Sequence, residues 1–197
     1  MNWRSKIEEE LAFEPTKDQE GLMNNWSLFL TENESKPLFI LKGYAGTGKT
    51  TLTSALIKAL QRQKRKTVLL APTGRAAKVL SSYSGKEAMT IHRRIYFNQK
   101  VDGRMKFVLQ KNLYKDCLFI VDEASMIGDS GGMGGSFLNQ QRSLLDDLIS
   151  YVFSGDNCKL MFVGDVAQLP PVGLLVSPAL NPEKLKFDFY CTVYTTE

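Results

Sequence analysis

The segment Gly43–Thr50 matches the pattern G-x-x-x-x-G-K-[S/T]. Glycines let the backbone curl so that successive N–H groups point at bound phosphates, and the start of the following helix adds partial positive charge. Lys49 is then placed to reach the β- and γ-phosphates, and the Thr50 hydroxyl can ligate Mg²⁺. The segment predicts a nucleoside-triphosphate site rather than a glycine-rich turn that happens to precede a lysine. A dinucleotide site is disfavoured because Thr51 stands where its third glycine should be.

Two carboxylates, Asp122 and Glu123, follow the apolar run Cys117–Val121. In a nucleotide hydrolase, Asp122 would hold the Mg²⁺ shell and Glu123 would orient and deprotonate the attacking water. The alternative is that the pair only caps the next helix, a reading that the upstream phosphate loop makes less favoured. Gln168 follows another apolar run and is either a contact to the γ-phosphate or water, or a polar turn residue before Pro170. Spacing alone does not decide between these two roles.

Gln19 also has two interpretations. It is the fourth residue of Thr16–Gln19, so its side chain can close a capping box at the start of a helix. An amide both donates and accepts hydrogen bonds, so the same side chain can also form hydrogen bonds with the edge of an adenine. The two roles are compatible in different states of the protein.

Cations and hydroxyls at the ends of two further segments are candidates for contact with a nucleic-acid strand. Thr73, Arg75 and Lys78 follow the run Thr67–Ala71 and suit phosphate contacts. The plain alternative is a helix start with exposed cations, which composition alone favours. Thr90 and His92 present the same choice, and a lone histidine is more often structural or at the surface than catalytic.

Short apolar runs separated by helical stretches indicate the elements that carry these residues. Runs without alternation are typical of a parallel sheet that is covered on both faces, so we predict a three-layer α/β fold. The predicted strands are Pro37–Leu41, Thr67–Ala71, Cys117–Val121, Lys159–Val163 and Phe189–Val193. Ligands bind beyond the carboxyl ends of such strands.

Helical spacing predicts an amphipathic helix over 3–13, a second helix with Thr16 as its N-cap, and a third directly after the phosphate loop. Ile95–Leu109 reads as a β-hairpin with a turn at Asp102–Gly103. The glycine-dense segment Ser130–Ser136 is expected to be mobile.

Composition limits the class of protein. The chain has 197 residues, 43% of them hydrophobic, which is enough for one domain with a full core. Its net charge of +4 permits a polyanionic partner without demanding one. Cys117, Cys158 and Cys191 lack metal-ligand spacing and read as core thiols in a reducing compartment. No apolar run approaches the roughly 20 residues of a membrane span and no signal peptide is evident, so we expect a cytoplasmic protein with no membrane contact.

The segments GYAGTGKTT, LLAPTGRAAK, TIHR, VDEASM and VGDVAQLPPVG, in this order, resemble the motifs of superfamily 1 DNA helicases of the RecD/Dda type, which move 5′ to 3′. The resemblance extends from Thr16–Gln19 to Pro170–Gly173. It implies a RecA-like P-loop ATPase that uses ATP and Mg²⁺, acts on single-stranded DNA and duplex junctions, and serves DNA repair or recombination. It also implies that the hairpin is the short pin that splits the duplex.

The same resemblance implies a role for each matching residue. Catalysis falls to Lys49, Glu123 and Gln168; nucleotide binding to Gln19, Gly43, Ala45, Gly46, Thr47, Gly48, Lys49, Thr50 and Thr51; metal binding to Thr50 and Asp122; and DNA binding to Thr73, Arg75, Lys78, Thr90 and His92.

We divide the chain into N-terminal helices with the adenine-contacting segment, 1–36, and an ATPase core, 37–197, with a hairpin insertion at about 94–110. Full members of the family carry a second RecA-like lobe whose arginines complete the ATP site, and no motif of that lobe is present. We therefore expect residues 1–197 alone to bind ATP–Mg²⁺ weakly, to hydrolyse it slowly and not to unwind DNA. We also expect the protein to be monomeric. Two alternatives remain: a P-loop ATPase with a protein or small-molecule client, and a non-catalytic nucleotide- or DNA-binding module.

Overall fold

The computed structural model describes residues 2–101, 104–128, 143–165, 167–168, 171 and 176–196, and a six-stranded sheet lies at its centre. The strands of this sheet are β1 (Pro37–Lys42), β2 (Lys66–Ala71), β3 (Ala88–Thr90), β6 (Cys117–Val121), β7 (Lys159–Gly164) and β8 (Thr192–Thr196). A separate antiparallel pair is formed by β4 (Tyr96–Val101) and β5 (Arg104–Leu109). The spatial order of the large sheet is β3-β2-β6-β7-β1-β8, and every neighbouring pair is parallel.

Helices connect the strands and cover both faces of the sheet. They are α1 (Trp3–Glu8), α2 (Lys17–Thr31), α3 (Lys49–Arg62), α4 (Gly74–Ser84), α5 (Ile91–Ile95), α6 (Leu144–Phe153) and α7 (Pro182–Phe189), with short 3₁₀ turns at Ala124–Met126 and Pro178–Leu180. Among the described residues, no helix combines the length and the apolar character that crossing a membrane requires.

Alternate residues of the central strands enter two separate hydrophobic clusters, one on each face of the sheet. In β6, Phe119 and Val121 belong to the cluster that includes α5, α6 and α7, whereas Leu118 and Ile120 belong to the cluster that includes α1, α2 and α3. A strand that is buried on both faces needs apolar residues at every position, which explains the unbroken apolar runs. The predicted three-layer α/β arrangement is confirmed.

The N-terminal helices differ from their predicted extent at one end. The capping box of α2 is present as predicted, because the Thr16 hydroxyl accepts from the Gln19 backbone and the Gln19 side chain accepts from the Thr16 N–H. The first helix was predicted over 3–13 but ends at Glu8. The N–H groups of Glu10 and Leu11 bond three residues back, and these tighter turns stop the α-helix.

The last predicted strand, Phe189–Val193, is placed three residues too early. Asn181 caps a helix whose first residue is Pro182, a favoured start, and this helix continues to Phe189. Tyr190 then adopts a left-handed conformation, and the strand begins at Thr192. The predicted hairpin is confirmed from Tyr96 to Leu109, although its turn at Asp102–Gly103 and the glycine-dense segment Ser130–Ser136 lie outside the described residues.

Two glycines offer a matched test of this packing. A Cβ at Gly164, the last residue of β7, would lie 2.7 Å from Leu180 Cδ1 and 3.2 Å from the Ser125 backbone nitrogen. Gly164→Ala should therefore lower the free energy of unfolding by about 1–3 kcal/mol through overpacking. Gly21 lies inside α2 with nothing within 4 Å, so Gly21→Ala should raise it by about 0.5–1 kcal/mol. Urea unfolding of both variants measures the difference, and a Gly164→Ala variant as stable as the wild type contradicts the packing.

Candidate active site

The parallel direction of the strands brings the predicted site residues to one rim of the sheet. The phosphate loop follows β1, Asp122 follows β6 and Asp165 follows β7. Because β7 lies between β1 and β6, the turn that contains Asp165 lies between the phosphate loop and the Asp122–Glu123 pair. Thr73 and Thr90 follow β2 and β3 at the same rim.

The phosphate loop has the conformation that its glycines allow. Gly46 and Gly48 have φ values of 81° and 86°, in the left-handed region that side chains rarely adopt. Gly48 is the N-cap of α3, so the helix begins at Lys49 and its N–H groups open toward the loop. The Thr47 hydroxyl donates to the Tyr44 carbonyl at 2.9 Å and closes the turn. The loop therefore fits an anion such as a phosphate group.

Lys49 folds back over this loop. Its Nζ donates to the carbonyl oxygens of Gly43 and Tyr44, both at 2.6 Å, and lies 3.7 Å from Asp165 Oδ2. Asp165 is buried, and its Oδ1 accepts from the Ala167 N–H at 2.8 Å. The ammonium is thus held at the mouth of the loop by neutral carbonyls and one carboxylate. Sequence reasoning gave Asp165 no role, although an acidic residue directly after a buried strand was a signal for one.

Asp122 is fixed by its neighbours on two sides. Its backbone N–H donates to the Leu70 carbonyl at 3.0 Å, and its Oδ2 accepts from the Tyr83 hydroxyl at 2.8 Å. Burial raises the pKa of the Asp122 carboxyl, whereas the Tyr83 hydroxyl, the Glu123 backbone N–H and the charge of Lys49 oppose that rise. The site consequently favours a cation beside this carboxylate. Tyr83 was not predicted from the sequence.

Glu123 has an unusual backbone conformation for its residue type. Its φ of 54° and ψ of 36° place it in the left-handed region, directly before the 3₁₀ turn Ala124–Met126. Such a conformation costs a non-glycine residue about 1–3 kcal/mol and concentrates at functional sites.

Gln168 is connected to the acidic turn by a side-chain hydrogen bond. The Ser125 hydroxyl donates to Gln168 Oε1 at 2.9 Å, and the Gln168 N–H donates to the Asp165 carbonyl at 3.4 Å. This amide therefore links the turn after β7 to the turn after β6. Of the predicted VGDVAQLPPVG motif, Val166, 169–170 and 172–173 lie outside the described residues.

Gln19 reaches the phosphate loop from α2. Its Nε2 is 3.1 Å from the position that a Cβ on Gly48 would occupy, while its Oε1 closes the capping box. A side chain at position 48 would press on this amide, so the glycine permits the close approach of α2 to the loop.

A family model described as an AAA domain matches residues 29–174, which is most of the chain. The chain belongs to the AAA domain family. It is 33% identical over 158 residues to the ATP-dependent RecD2 DNA helicase of Deinococcus radiodurans, and 34% identical over 158 residues to the ATP-dependent DNA helicase Dda of Enterobacteria phage T4. The alignments cover 80% and 78% of this chain but only 19% and 33% of those proteins.

The fold of this AAA domain matches the crystal structure of Pif1 helicase from Candida albicans with a TM-score of 0.52. The match covers 93% of this chain and 40% of that one, and at 19% identity it shows the fold alone. The sequence relatives and this shared fold confirm the resemblance to helicases of the RecD/Dda type and the RecA-like architecture.

The residues predicted to contact DNA divide into two groups in this AAA domain. The hydroxyls of Thr73 and Thr90 are occupied as N-caps, accepting from the backbones of Ala76 and Arg93, each at 3.2 Å. The other residues of the predicted set have exposed side chains; they are Arg75, Lys78 and His92. The capping hydroxyls fix the starts of α4 and α5 and so determine where these exposed side chains emerge.

The side chains at the rim also fit Mg²⁺ held together with a nucleotide. The described part of the chain contains no group of three His, Cys, Asp or Glu side chains able to hold a metal by itself. Mg²⁺ in nucleotide sites commonly takes one or two protein oxygens, with phosphates and water completing its shell. The Asp122 carboxylate and the Thr50 hydroxyl would supply those oxygens, and a magnesium ion there would neutralise charge on the phosphates.

Proposed function

We propose that this AAA domain is the ATP-hydrolysing motor lobe of a DNA helicase. One observation carries the proposal: the Lys49 ammonium lies at the mouth of the phosphate loop, 3.7 Å from Asp165, on the rim that also holds Asp122. A cation over a loop of this geometry binds β- and γ-phosphates. A carboxylate at the end of a neighbouring strand, such as Asp122, suits a metal that is bound to the nucleotide. The relatives named as ATP-dependent DNA helicases support the same conclusion.

The proposed division of labour among the rim residues follows from their chemistry. Lys49 binds phosphate oxygens, and Thr50 and Asp122 hold the metal. Glu123 accepts a proton from the attacking water, because its half-buried carboxylate makes no side-chain hydrogen bond to the described residues. Gln168, whose side chain is held by Ser125, contacts the γ-phosphate, and Gln19 contacts the adenine.

The proposed DNA contacts lie on the side of the rim formed by β2 and β3. Arg75 and Lys78 would bind phosphates of a single strand, and His92 would add a further contact. The β4–β5 hairpin follows α5 directly and exposes Met105 and Phe107, which suits contact with bases at a duplex junction. Movement 5′ to 3′, a role in DNA repair or recombination, and a cytoplasmic location belong to the same proposal.

The chain spans 19% and 33% of the lengths of the two helicases, so the activity of the whole protein is part of the proposal. We infer that a second RecA-like lobe supplies arginines to the ATP site. An arginine that completes such a site contributes about 10³–10⁵-fold in rate. Residues 1–197 alone should therefore bind ATP weakly, hydrolyse it slowly and not unwind duplex DNA. We also expect the protein to be monomeric.

Substitutions at Lys49 and Glu123 separate nucleotide binding from hydrolysis. Lys49→Ala should abolish binding of a fluorescent ATP analogue, since it removes the cation that meets the phosphates. Lys58→Ala, at an exposed position of the same helix, should bind like the wild type. Glu123→Gln should retain binding and lose hydrolysis by about 10²–10⁴-fold in a single-turnover assay. Normal hydrolysis by Glu123→Gln would show that another group is the base.

Salt dependence tests the nucleic-acid side. The double variant Arg75→Ala/Lys78→Ala should bind oligo-dT more weakly, and each lost phosphate contact should reduce the slope of log affinity against log salt by about 0.7. Lys58→Ala/Lys66→Ala removes the same charge from exposed positions outside the rim and should keep the slope. Fluorescence anisotropy over a salt series measures both. Equal slopes for the two double variants, with no oligo-dT stimulation of ATP hydrolysis, would favour an ATPase with a client other than nucleic acid.

A further inference from the structure

Tyr83 contacts the proposed metal site but has no part in the proposed function. It lies one residue before the end of α4. Its hydroxyl donates to Asp122 Oδ2 at 2.8 Å, across 39 positions of sequence. Its backbone carbonyl accepts from the Ser54 hydroxyl at 2.9 Å. One residue therefore touches the acidic strand end and the helix that follows the phosphate loop.

The hydrogen bond from the Tyr83 hydroxyl restrains the Asp122 side chain, which the backbone pairing at the end of β6 does not fix. The hydrogen bond from the Asp122 N–H to the Leu70 carbonyl fixes the main chain, but the carboxylate can still rotate about its side-chain bonds. An ionised carboxylate only accepts hydrogen bonds, so the Tyr83 hydroxyl must be the donor. Because this donor engages Oδ2, it restrains the rotation of the carboxylate.

The contact with Ser54 extends the restraint to the second proposed metal ligand. Ser54 lies four residues after Thr50 in α3, which places the two residues on one face of the helix. Ser54 is itself buried at 9% exposure, so its hydroxyl depends on the Tyr83 carbonyl as a partner. Through its hydroxyl and its carbonyl, Tyr83 thus joins the two elements that carry Thr50 and Asp122.

Packing alone does not explain a tyrosine at this position. The ring is half-buried against the cluster that includes α3, and a phenylalanine would fill the same space. The hydroxyl is the part that phenylalanine lacks, and it is directed at Asp122, which we propose holds Mg²⁺.

We propose that Tyr83 is a positioning residue for the metal site, whose hydroxyl holds the Asp122 carboxylate in the orientation that binds Mg²⁺ with the nucleotide. The inference rests on the proposed function, because it takes Asp122 to be a metal ligand. Groups that orient a ligating carboxylate typically affect metal affinity by about 10–100-fold.

Tyr83→Phe tests the inference because it removes only the hydroxyl. We expect the Mg²⁺ concentration that half-saturates binding of a fluorescent, non-hydrolysable ATP analogue to rise by about 10-fold or more. Mn²⁺ binding, followed by electron paramagnetic resonance with the same analogue, should weaken in parallel. Binding of the analogue without metal should not change. Tyr190→Phe is the matched control, since Tyr190 is 80% exposed.

A purely structural role would lower the melting temperature of Tyr83→Phe and leave the Mg²⁺ midpoint within about two-fold of the wild type, and that result overturns the inference. A tighter Mg²⁺ midpoint also overturns it, because the hydroxyl would then compete with the metal. Ser54→Ala keeps the Tyr83 hydroxyl but removes the hydrogen bond to the Tyr83 carbonyl, so it should weaken Mg²⁺ binding several-fold. This variant decides the question if Tyr83→Phe does not fold. Failure of the proposed function is distinguishable, since the wild type itself would then show no Mg²⁺-dependent binding of the analogue.

Discussion

The common direction of the six strands is the constraint on which the candidate site depends. A parallel sheet places the carboxyl end of every strand at the same edge. Residues that are far apart in sequence, such as Lys49 and Asp165, therefore become neighbours without any contact dedicated to bringing them together. The position of β7 between β1 and β6 adds a second condition, because it puts the Asp165 turn between the phosphate loop and Asp122.

The charged groups of this site have neighbours that a bound nucleotide and its metal would replace or join. The Lys49 ammonium contacts two neutral loop carbonyls and lies 3.7 Å from Asp165, and hydrogen bonds to phosphate oxygens would be stronger than those to the neutral carbonyls. Burial raises the pKa of the Asp122 carboxyl, so a cation beside it would stabilise the ionised form. Glu123 retains a strained backbone at the same turn. In the proposed function, a nucleotide and its metal would engage all three residues.

Local chemistry explains which parts were predictable from sequence. The phosphate loop and the Asp122–Glu123 pair are short contiguous segments, so their places after β1 and β6 could be predicted from the sequence. The Tyr83 hydrogen bond was not, because it joins residues 39 positions apart and depends on how α4 lies over the sheet. The last strand was misplaced for a local reason: the helix that Asn181 and Pro182 start continues to Phe189, so only the end of the apolar run Phe189–Val193 belongs to the strand.

The most direct test of the account is a crystal structure with a non-hydrolysable ATP analogue and Mg²⁺. We expect Lys49 Nζ to leave the carbonyls of Gly43 and Tyr44 and to bind phosphate oxygens, with Asp122 in the shell of the metal. Phosphates bound elsewhere, or a lysine that stays on the two carbonyls beside a bound nucleotide, would contradict the assignment of this rim as the site of ATP chemistry.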